Sequence, residues 1–253
     1  MSLPCAVESR CLALAAFGLF LLAAAPAPAC GVSASGVASC SLAEHEEATR
    51  ARWVIGVNGL YTWTRLRFDD EIHADQVRYG ALALLAYLPS ARLVLQAGAG
   101  LSLGGNLTLT DGEYQFSPGP IALLGADYRA FDDGRYSLLL TSGLSFASAR
   151  TQPPAVADGE SSEPSATYTA FDLRLGAQFG IALGRIAIPY ALARVFGGPV
   201  FWHYHGQAVT GTDTHHYQLG AGLAVRATKA LNFFAEGIPL GERAIALGVG
   251  WSL

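Results

Sequence analysis

The stretch spanning residues 170–183, AFDLRLGAQFGIAL, alternates between apolar residues and residues that are polar or glycine. One parity is apolar throughout and consists of Phe171, Leu173, Leu175, Ala177, Phe179, Ile181 and Leu183. The other parity carries Asp172, Arg174, Gly176, Gln178 and Gly180. A period of two places the two sets on opposite faces of a β-strand. Because the apolar face is longer than in a typical globular strand, the stretch predicts a strand between lipid and a polar lumen.

The same alternation recurs from residue 53 to residue 253 and predicts ten strands. Their expected spans are 53–66, 76–88, 93–103, 120–130, 136–148, 170–183, 186–200, 216–226, 231–238 and 243–253. Pro189 predicts a bulge, because proline cannot donate to a strand that is paired on both sides. An even number of strands leaves both ends of a barrel on one side of the membrane. The predicted fold class is therefore all-β, an antiparallel up-and-down transmembrane β-barrel of about ten strands.

The connections between these strands alternate in length, as they do in membrane barrels. The short connections are 89–92, 132–135, 184–185 and 228–230. The others are mostly long and cover 69–75, 104–119, 151–167 and 197–214, and only the last, at 240–242, is brief. We expect the short turns to face the periplasm and the long loops to face the cell exterior.

Aromatic residues cluster at both predicted ends of the strands. On the side of the short turns they are Trp53, Tyr87, Tyr128, Tyr136 and Trp251. On the side of the long loops they are Trp63, Tyr79, Phe146, Phe171, Trp202 and Tyr217. Two such belts are typical of the two interfaces of a membrane. A soluble barrel needs charge on its outer face, and only 14% of the residues are charged, which favours a membrane barrel.

The first 29 residues have the features of a secretory signal peptide. Arg10 precedes an apolar run at 11–25 that is short for a membrane helix, and Ala27-Pro28-Ala29 forms a small-residue cleavage pattern. The predicted organisation is a signal peptide at 1–29, a short periplasmic segment at 30–52 and the barrel at 53–253.

Cys30 and Cys40 are the two cysteines that remain after the predicted cleavage. An exported chain matures in an oxidising compartment, so a disulfide between them is expected. One alternative is acylation of Cys30, although Ala27 stands where lipoprotein signals usually carry Leu. Another is a metal site formed by Cys30, Cys40 and His45.

The signal peptide, the ten alternating strands and the aromatic belts resemble the bacterial outer-membrane β-barrel proteins. Those chains usually end on an apolar strand with a terminal aromatic residue. This chain ends Val249-Gly250-Trp251-Ser252-Leu253, which keeps the alternation but replaces the final aromatic with Leu. The resemblance covers the whole chain and implies the outer membrane of a Gram-negative envelope, with the lipid bilayer as partner. It implies no particular activity.

Charged residues of the inward parity form a candidate network in the lumen, consisting of Arg78, Asp172, Arg174, Arg226 and Glu236. Ten strands enclose a narrow interior, which favours a structural plug of paired charges. The alternative is a narrow, porin-like pore for small solutes or ions, with these charges setting its selectivity. The long loops are acidic and could gather divalent cations or cationic solutes. The chain has no basic groove, which argues against nucleic acid.

Four of the six histidines lie in one predicted hairpin: His203, His205, His215 and His216. Residues two apart on a strand share a face, and the returning strand brings the second pair opposite the first. Three imidazoles in that arrangement suit zinc, copper or nickel. The alternative is a set of exposed loop histidines, since no carboxylate stands at a fixed spacing from them.

A second, local resemblance is to the omptin proteases, which are ten-stranded barrels with an acidic pair on one external loop and Asp-x-His on another. Asp111-x-Glu113 and Asp213-x-His215 match this pattern, with Glu113 where that family has Asp. The match implies general-base hydrolysis with Asp213 orienting His215. It is confined to four positions, and no cofactor motif accompanies it. The sequence therefore favours a non-catalytic barrel without cofactor, in a structural or envelope-interaction role.

Overall fold

The computed structural model describes residues 53–69, 72–153, 165–184 and 186–253, together with the backbone of two short strands at 30–32 and 38–40. The predicted signal peptide and most of the segment 30–52 lie outside the described residues. The strands are β1 (Cys30–Val32), β2 (Ala38–Cys40), β3 (Trp53–Phe68), β4 (Ile72–Tyr87), β5 (Leu93–Thr108), β6 (Glu113–Phe116), β7 (Gly119–Asp132), β8 (Tyr136–Gln152), β9 (Ala166–Ile181), β10 (Ala187–Gly197), β11 (Val200–Tyr204), β12 (Gln207–Asp213), β13 (Tyr217–Arg226), β14 (Leu231–Gly241) and β15 (Arg243–Ser252). None of the described residues forms a helix long and apolar enough to cross a membrane.

Ten of these strands form a closed antiparallel ring in the order β3, β4, β5, β7, β8, β9, β10, β13, β14 and β15. Pairing of β15 with β3, from Arg243 opposite Trp63 to Ser252 opposite Val54, closes the ring. Closure leaves no unpaired edge, which a spanning sheet requires because lipid offers no hydrogen-bond partners. The prediction of an up-and-down barrel of about ten strands is confirmed.

The outer face of the ring is apolar around its whole circumference. In β9, Leu173, Leu175 and Phe179 point outward, and Leu175 is 50% exposed. The same holds for the outward residues of every other strand of the ring, for example Val57, Leu101, Leu144, Val195 and Leu247. Large exposed apolar patches mark contact with another molecule or with a membrane. A band of this kind around a closed barrel is the surface that faces lipid.

Aromatic side chains border the apolar band at both ends. At the end with the short turns, which we call the turn end, Trp53 lies against Tyr87 with ring centroids 4.7 Å apart. At the opposite end, the loop end, Trp63, Tyr79, Phe171 and Tyr217 are exposed on the outer face. The two predicted belts are therefore present.

Trp202, which the sequence placed in the loop-end belt, does not belong to it. Its side chain is 1% exposed and points into the barrel. The reason is parity: Trp202 continues the inward set of Arg194, Phe196 and Val200, whereas its neighbour Phe201 faces outward. Position near the end of a strand is not enough to assign a residue to the belt.

Three of the four segments predicted as long loops are mostly strand. β3 and β4 are paired up to Phe68 and Ile72, β6 occupies part of 104–119, and β11 and β12 form a hairpin within 197–214. These pieces continue the wall beyond the aromatic belt. β12 pairs with β3, and β6 pairs with both β5 and β8. At the loop end the wall is consequently a second closed ring of eight strands: β3, β4, β5, β6, β8, β9, β11 and β12.

The bulge predicted at Pro189 is absent, because β10 and β13 pair in unbroken register through Pro189 and Leu223. Pairing of β10 with β9 begins only at Tyr190, opposite Gly180. Pro189 therefore lies just beyond the β9 ladder, where its missing N–H removes no bond. The register shifts lie elsewhere, in the β4–β5, β7–β8 and β13–β14 pairs.

Placing a charge in the apolar band tests its contact with lipid. We expect Leu175→Arg to lower the free energy of unfolding by about 2–4 kcal/mol, the cost of Arg near the bilayer midplane on a barrel's outer face. Thr167→Arg, on the same strand beyond the belt, should cost little. Urea unfolding of both variants in liposomes provides the measurement. Equal costs at the two positions would argue against a lipid-facing band.

Candidate functional site

The interior of the eight-stranded ring is filled by apolar and aromatic side chains that we call the aromatic cap. It consists of Leu66, Phe68, Ala74, Leu107, Leu109, Tyr114, Phe116, Ala149, Tyr168, Val200, Trp202 and Val209. Trp202 packs on Phe68 and edge-on against Tyr114, with ring centroids 5.6 and 5.1 Å apart. Its Nε1 donates to Thr151 Oγ1 at 2.9 Å, so the one polar atom of the indole is satisfied. The cap closes the loop end of the lumen.

Two apolar clusters, which we call the turn-end clusters, fill much of the lumen from the turn end up to the loop-end belt, where Ala244 lies opposite Thr62. The first consists of Val54, Leu84, Ala86, Leu88 and Val94, with Leu82 and Leu123 against it. The second consists of Tyr190, Leu192, Ala224, Phe234, Ile238, Ala244 and Ala246. Tyr190 lies over Gly222, where an added Cβ would come 2.3 Å from the ring atom Cζ. Small barrels are usually filled by side chains in this way.

A polar layer with a cavity of about 190 Å³ lies beneath the cap and beside the second cluster, whose Ile238, Ala244 and Ala246 line the cavity. One side holds a buried ion pair in which Arg194 donates through Nη1 and Nη2 to the two oxygens of Glu236, at 3.0 and 3.1 Å. Tyr190 adds a hydroxyl bond to Glu236 Oε2 at 3.1 Å. The two charged side chains are 3% and 1% exposed. A bidentate pair of this kind fixes both partners in orientation as well as distance.

A second network surrounds Arg174. Its guanidinium donates to Asp172 and, at 3.1 Å, to Glu242 Oε2. Glu242 also accepts from Gln218 Nε2 at 2.6 Å. Asp213 lies close by and accepts from Thr64 Oγ1 at 2.7 Å. Three carboxylates therefore share one arginine, which leaves an excess of negative charge when all are ionised.

Two of these carboxyl groups stand beyond the apolar band, Asp213 in β12 and Glu242 in the turn between β14 and β15. Burial raises the pKa of Asp213 to about 6 and the pKa of Glu242 to about 7. Charge repulsion within the network adds to both, while Arg174 opposes it. The network therefore takes up protons between neutral and mildly acidic pH.

In the structure, the residues of the predicted lumen network do not form a single network. Asp172 and Arg174 come together, but their further partner is Glu242, a turn residue. Glu236 pairs with Arg194, which the sequence analysis missed although it follows Tyr190 and Leu192 on the inward parity of β10. Arg226 lies at the turn end, opposite Asn232. Arg78 lies nearer the cap, with its guanidinium 5.4 Å from the ring centroid of Phe116 and 5.6 Å from that of Tyr168.

The four histidines of the predicted metal site are all exposed. His203 faces outward on β11, and His205 follows it in the turn, with Nε2 3.4 Å from Asp111 Oδ2. His215 and His216 lie in the β12–β13 connection, against Tyr217 and Phe196 respectively. Within the part of the chain that the structure describes, no three His, Cys, Asp or Glu residues are grouped to hold a metal ion.

The four positions of the omptin-like pattern lie at two levels of the barrel. Asp111, in the β5–β6 turn, lies beside the tip of the β11–β12 hairpin, where it accepts from Tyr204 OH at 2.8 Å. Asp213 lies inside the wall at the base of β12, six residues from Gln207 at the tip, or roughly 20 Å along a strand. Glu113 instead accepts from Asn106 Nδ2 at 2.9 Å.

The predicted disulfide concerns β1 and β2. Cys30 is the register partner of Cys40 in this antiparallel pair. Directly opposed residues in such a ladder have Cα atoms about 4.5–5.5 Å apart, which suits a disulfide. The bond itself stays a prediction.

No family model and no curated protein sequence matches the chain. Among solved structures, the outer membrane protease OmpT from Escherichia coli aligns with a TM-score of 0.51 and 11% identity, covering 80% of this chain and 97% of that one. The translocator domain of the autotransporter NalP from Neisseria meningitidis gives 0.47 and 13%, with 80% and 88% covered. OprG from Pseudomonas aeruginosa gives 0.43 and 9%, with 80% and 96% covered.

At these identities the likeness concerns the fold alone. The chain has the fold of the bacterial outer-membrane β-barrel proteins, as its sequence predicts. The fold and the apolar outer band together indicate an outer-membrane location.

The buried pair of Arg194 and Glu236 should be sensitive to loss of one partner. We expect Glu236→Gln to lower the free energy of unfolding by about 3–5 kcal/mol, because it leaves a buried guanidinium without its counter-charge. Asp75→Asn removes the partner of exposed Arg65 and should cost less than about 1 kcal/mol. Urea unfolding of the refolded variants measures both. If the two substitutions lowered the free energy of unfolding by similar amounts, the Arg194–Glu236 pair would be shown to be solvated.

The raised pKa values of Asp213 and Glu242 predict a pH dependence of stability. Ordinary values are 3.8 and 4.5, so between about pH 4 and pH 7 the folded barrel binds more protons than the unfolded chain. Stability should therefore fall as the pH rises from about 5 to 8. The double variant Asp213→Asn, Glu242→Gln should lose this slope. Urea unfolding at three pH values tests this prediction. If the stability of the double variant fell with pH as steeply as that of the unaltered protein, Asp213 and Glu242 would not be the groups responsible.

Proposed function

We propose that the protein is a non-catalytic outer-membrane barrel that does not conduct, with a structural or envelope-interaction role. The aromatic cap carries this proposal, because its twelve buried apolar and aromatic side chains pack together inside the eight-stranded ring at the loop end. An eight-stranded ring has an interior just wide enough for side chains to fill.

Division of the omptin-like residues between two levels of the barrel supports a non-catalytic role. A general base has to reach its water or substrate within hydrogen-bond distance. Asp111 and Glu113 are engaged at the hairpin tip and near β5, while Asp213 is hydrogen-bonded to Thr64 inside the wall. A barrel of this kind acts through its surfaces: the apolar band toward the bilayer and the loop end toward other molecules.

The cavity in the polar layer favours the alternative, a narrow pore for small solutes or ions. It is lined by arginines and carboxylates, the residues that set selectivity in pores. To conduct, such a lumen has to open past the cap, whose wall includes the β11–β12 hairpin. It pairs with β9 and β3 through three residues on each side.

Planar-bilayer recording separates the two functions. We expect no conductance steps from the refolded protein, because the cap blocks the loop end. Replacing residues 201–210 with a short Gly-Ser turn should remove Trp202 and Val209 and produce conductance steps, since the ten-stranded ring does not depend on this hairpin. Shortening the segment 154–164, in which none of the cap residues named above falls, is the matched control and should stay silent.

Conductance steps from the unaltered protein would contradict the proposal and support the alternative, a narrow pore. Silence of the hairpin variant, with its folding shown by a heat-dependent shift in gel mobility, would mean that the polar layer and the turn-end clusters block the lumen without the cap.

A further inference from the structure

Arg78 differs from the other arginines of the polar layer. Arg174 and Arg194 each donate to carboxylates. With the described residues, by contrast, the Arg78 guanidinium forms neither an ion pair nor a hydrogen bond, and its Nη2 atom is buried without an acceptor. Its contacts are the faces of Phe116 and Tyr168. A guanidinium stays charged in proteins and can only donate, so the two N–H groups of the buried Nη2 atom are left without a partner among these residues.

The side chain of Arg78 borders the cavity in the polar layer. Thr62, Gln76 and Tyr168 line the same part of the wall. Gln76 Nε2 donates to the hydroxyl oxygen of Tyr168 at 2.7 Å, which leaves the hydroxyl proton free to donate in turn. This corner of the cavity therefore presents hydrogen-bond donors and a positive charge. Removing an arginine from water without a counter-charge is unfavourable, and the two aromatic faces compensate only in part.

The carboxylates that line the same cavity are engaged elsewhere. Glu236 accepts from Arg194 and Tyr190, and Asp172 and Glu242 each accept from Arg174, with Asp172 Oδ1 buried without a donor. Asp213 accepts from Thr64. None of them comes within ion-pair distance of Arg78. An external anion would supply the counter-charge and the hydrogen-bond acceptors that Arg78 lacks among these residues.

We propose that the lumen binds a small oxyanion at Arg78, beneath the aromatic cap. Arginine binds carboxylate and tetrahedral oxyanions through paired N–H donors, and the Tyr168 hydroxyl can add a third bond. The cavity of about 190 Å³ is much larger than the roughly 10–15 Å³ that one water needs on the same measure, so it admits an ion of a few heavy atoms.

This site is compatible with a closed barrel and does not depend on the proposed function. An ion held beneath the cap is taken up during folding and supplies the counter-charge that the protein does not. The excess of carboxylate around Arg174 lies in the same cavity and repels an anion. Because burial raises the pKa of Asp213 and Glu242, this repulsion weakens as the pH falls. Binding should accordingly be tighter at pH 5.5 than at pH 8.

The test uses the full barrel refolded from urea with the anion present, so that access through the cap is not limiting. Acetate and sulfate serve as planar and tetrahedral probes, and gluconate, a much bulkier anion, keeps the ionic strength constant. A ligand that binds only the folded state raises the unfolding midpoint with its concentration. We expect one or both probes, at millimolar concentration, to raise the thermal midpoint relative to gluconate.

Three variants assign the effect to the site. Arg78→Gln should weaken the apparent affinity at least tenfold, and Ser145→Leu should do the same by filling the cavity from β8 while leaving Arg78 in place. Arg65→Gln removes an exposed arginine of the outer face and should leave the affinity unchanged. A response to acetate alone identifies a carboxylate ligand, and a response to sulfate identifies a tetrahedral one.

Failure of both anions to shift the midpoint of the folded protein would overturn the proposal. So would an equal shift in Arg78→Gln, which would make the effect a general action of the salt on the barrel.

Discussion

Lipid offers no hydrogen-bond partner to a peptide group, and this constraint organises the whole barrel. A sheet satisfies it by closing on itself, which β15 and β3 accomplish over ten residue pairs. Closure then gives every strand one face toward hydrocarbon and one toward the lumen. Within the apolar band the apolar parity points outward, as with Tyr61 and Trp63, and the polar parity points inward, as with Asn58 and Thr62.

Beyond the loop-end belt the same strands reverse this pattern. In β3 the outward residues become Arg65 and Arg67 and the inward residues become Leu66 and Phe68. The reversal marks the level at which water replaces lipid around the barrel, so that the apolar side chains have to be buried in the interior. Because the wall there has eight strands, these inward residues meet across the lumen and form the aromatic cap. One alternating pattern thus has two results. Its apolar residues face lipid within the band, and beyond the belt they fill the lumen.

The sequence predicted the ring, its ten strands and its outer face, because lipid selects apolar residues at every second position. It missed the strands that extend the wall, since their alternation is short and reversed and their charged residues look like those of loops. Trp202 was misplaced because an aromatic at a strand end fits a belt as well as a cap. Arg194 follows the inward parity, but Pro189 interrupts the sequence pattern of its strand. Glu242 enters the lumen from a turn, where no periodic pattern applies.

Trp202 permits the most direct test, because the chain has four tryptophans and the other three, Trp53, Trp63 and Trp251, lie on the outer face. Replacing those three with Phe leaves Trp202 as the only fluorophore in a barrel refolded into liposomes. A filled loop end predicts blue-shifted emission that neither brominated lipid nor aqueous iodide quenches. Quenching by iodide to the extent seen for free tryptophan would show an open, water-filled mouth and contradict the closed barrel.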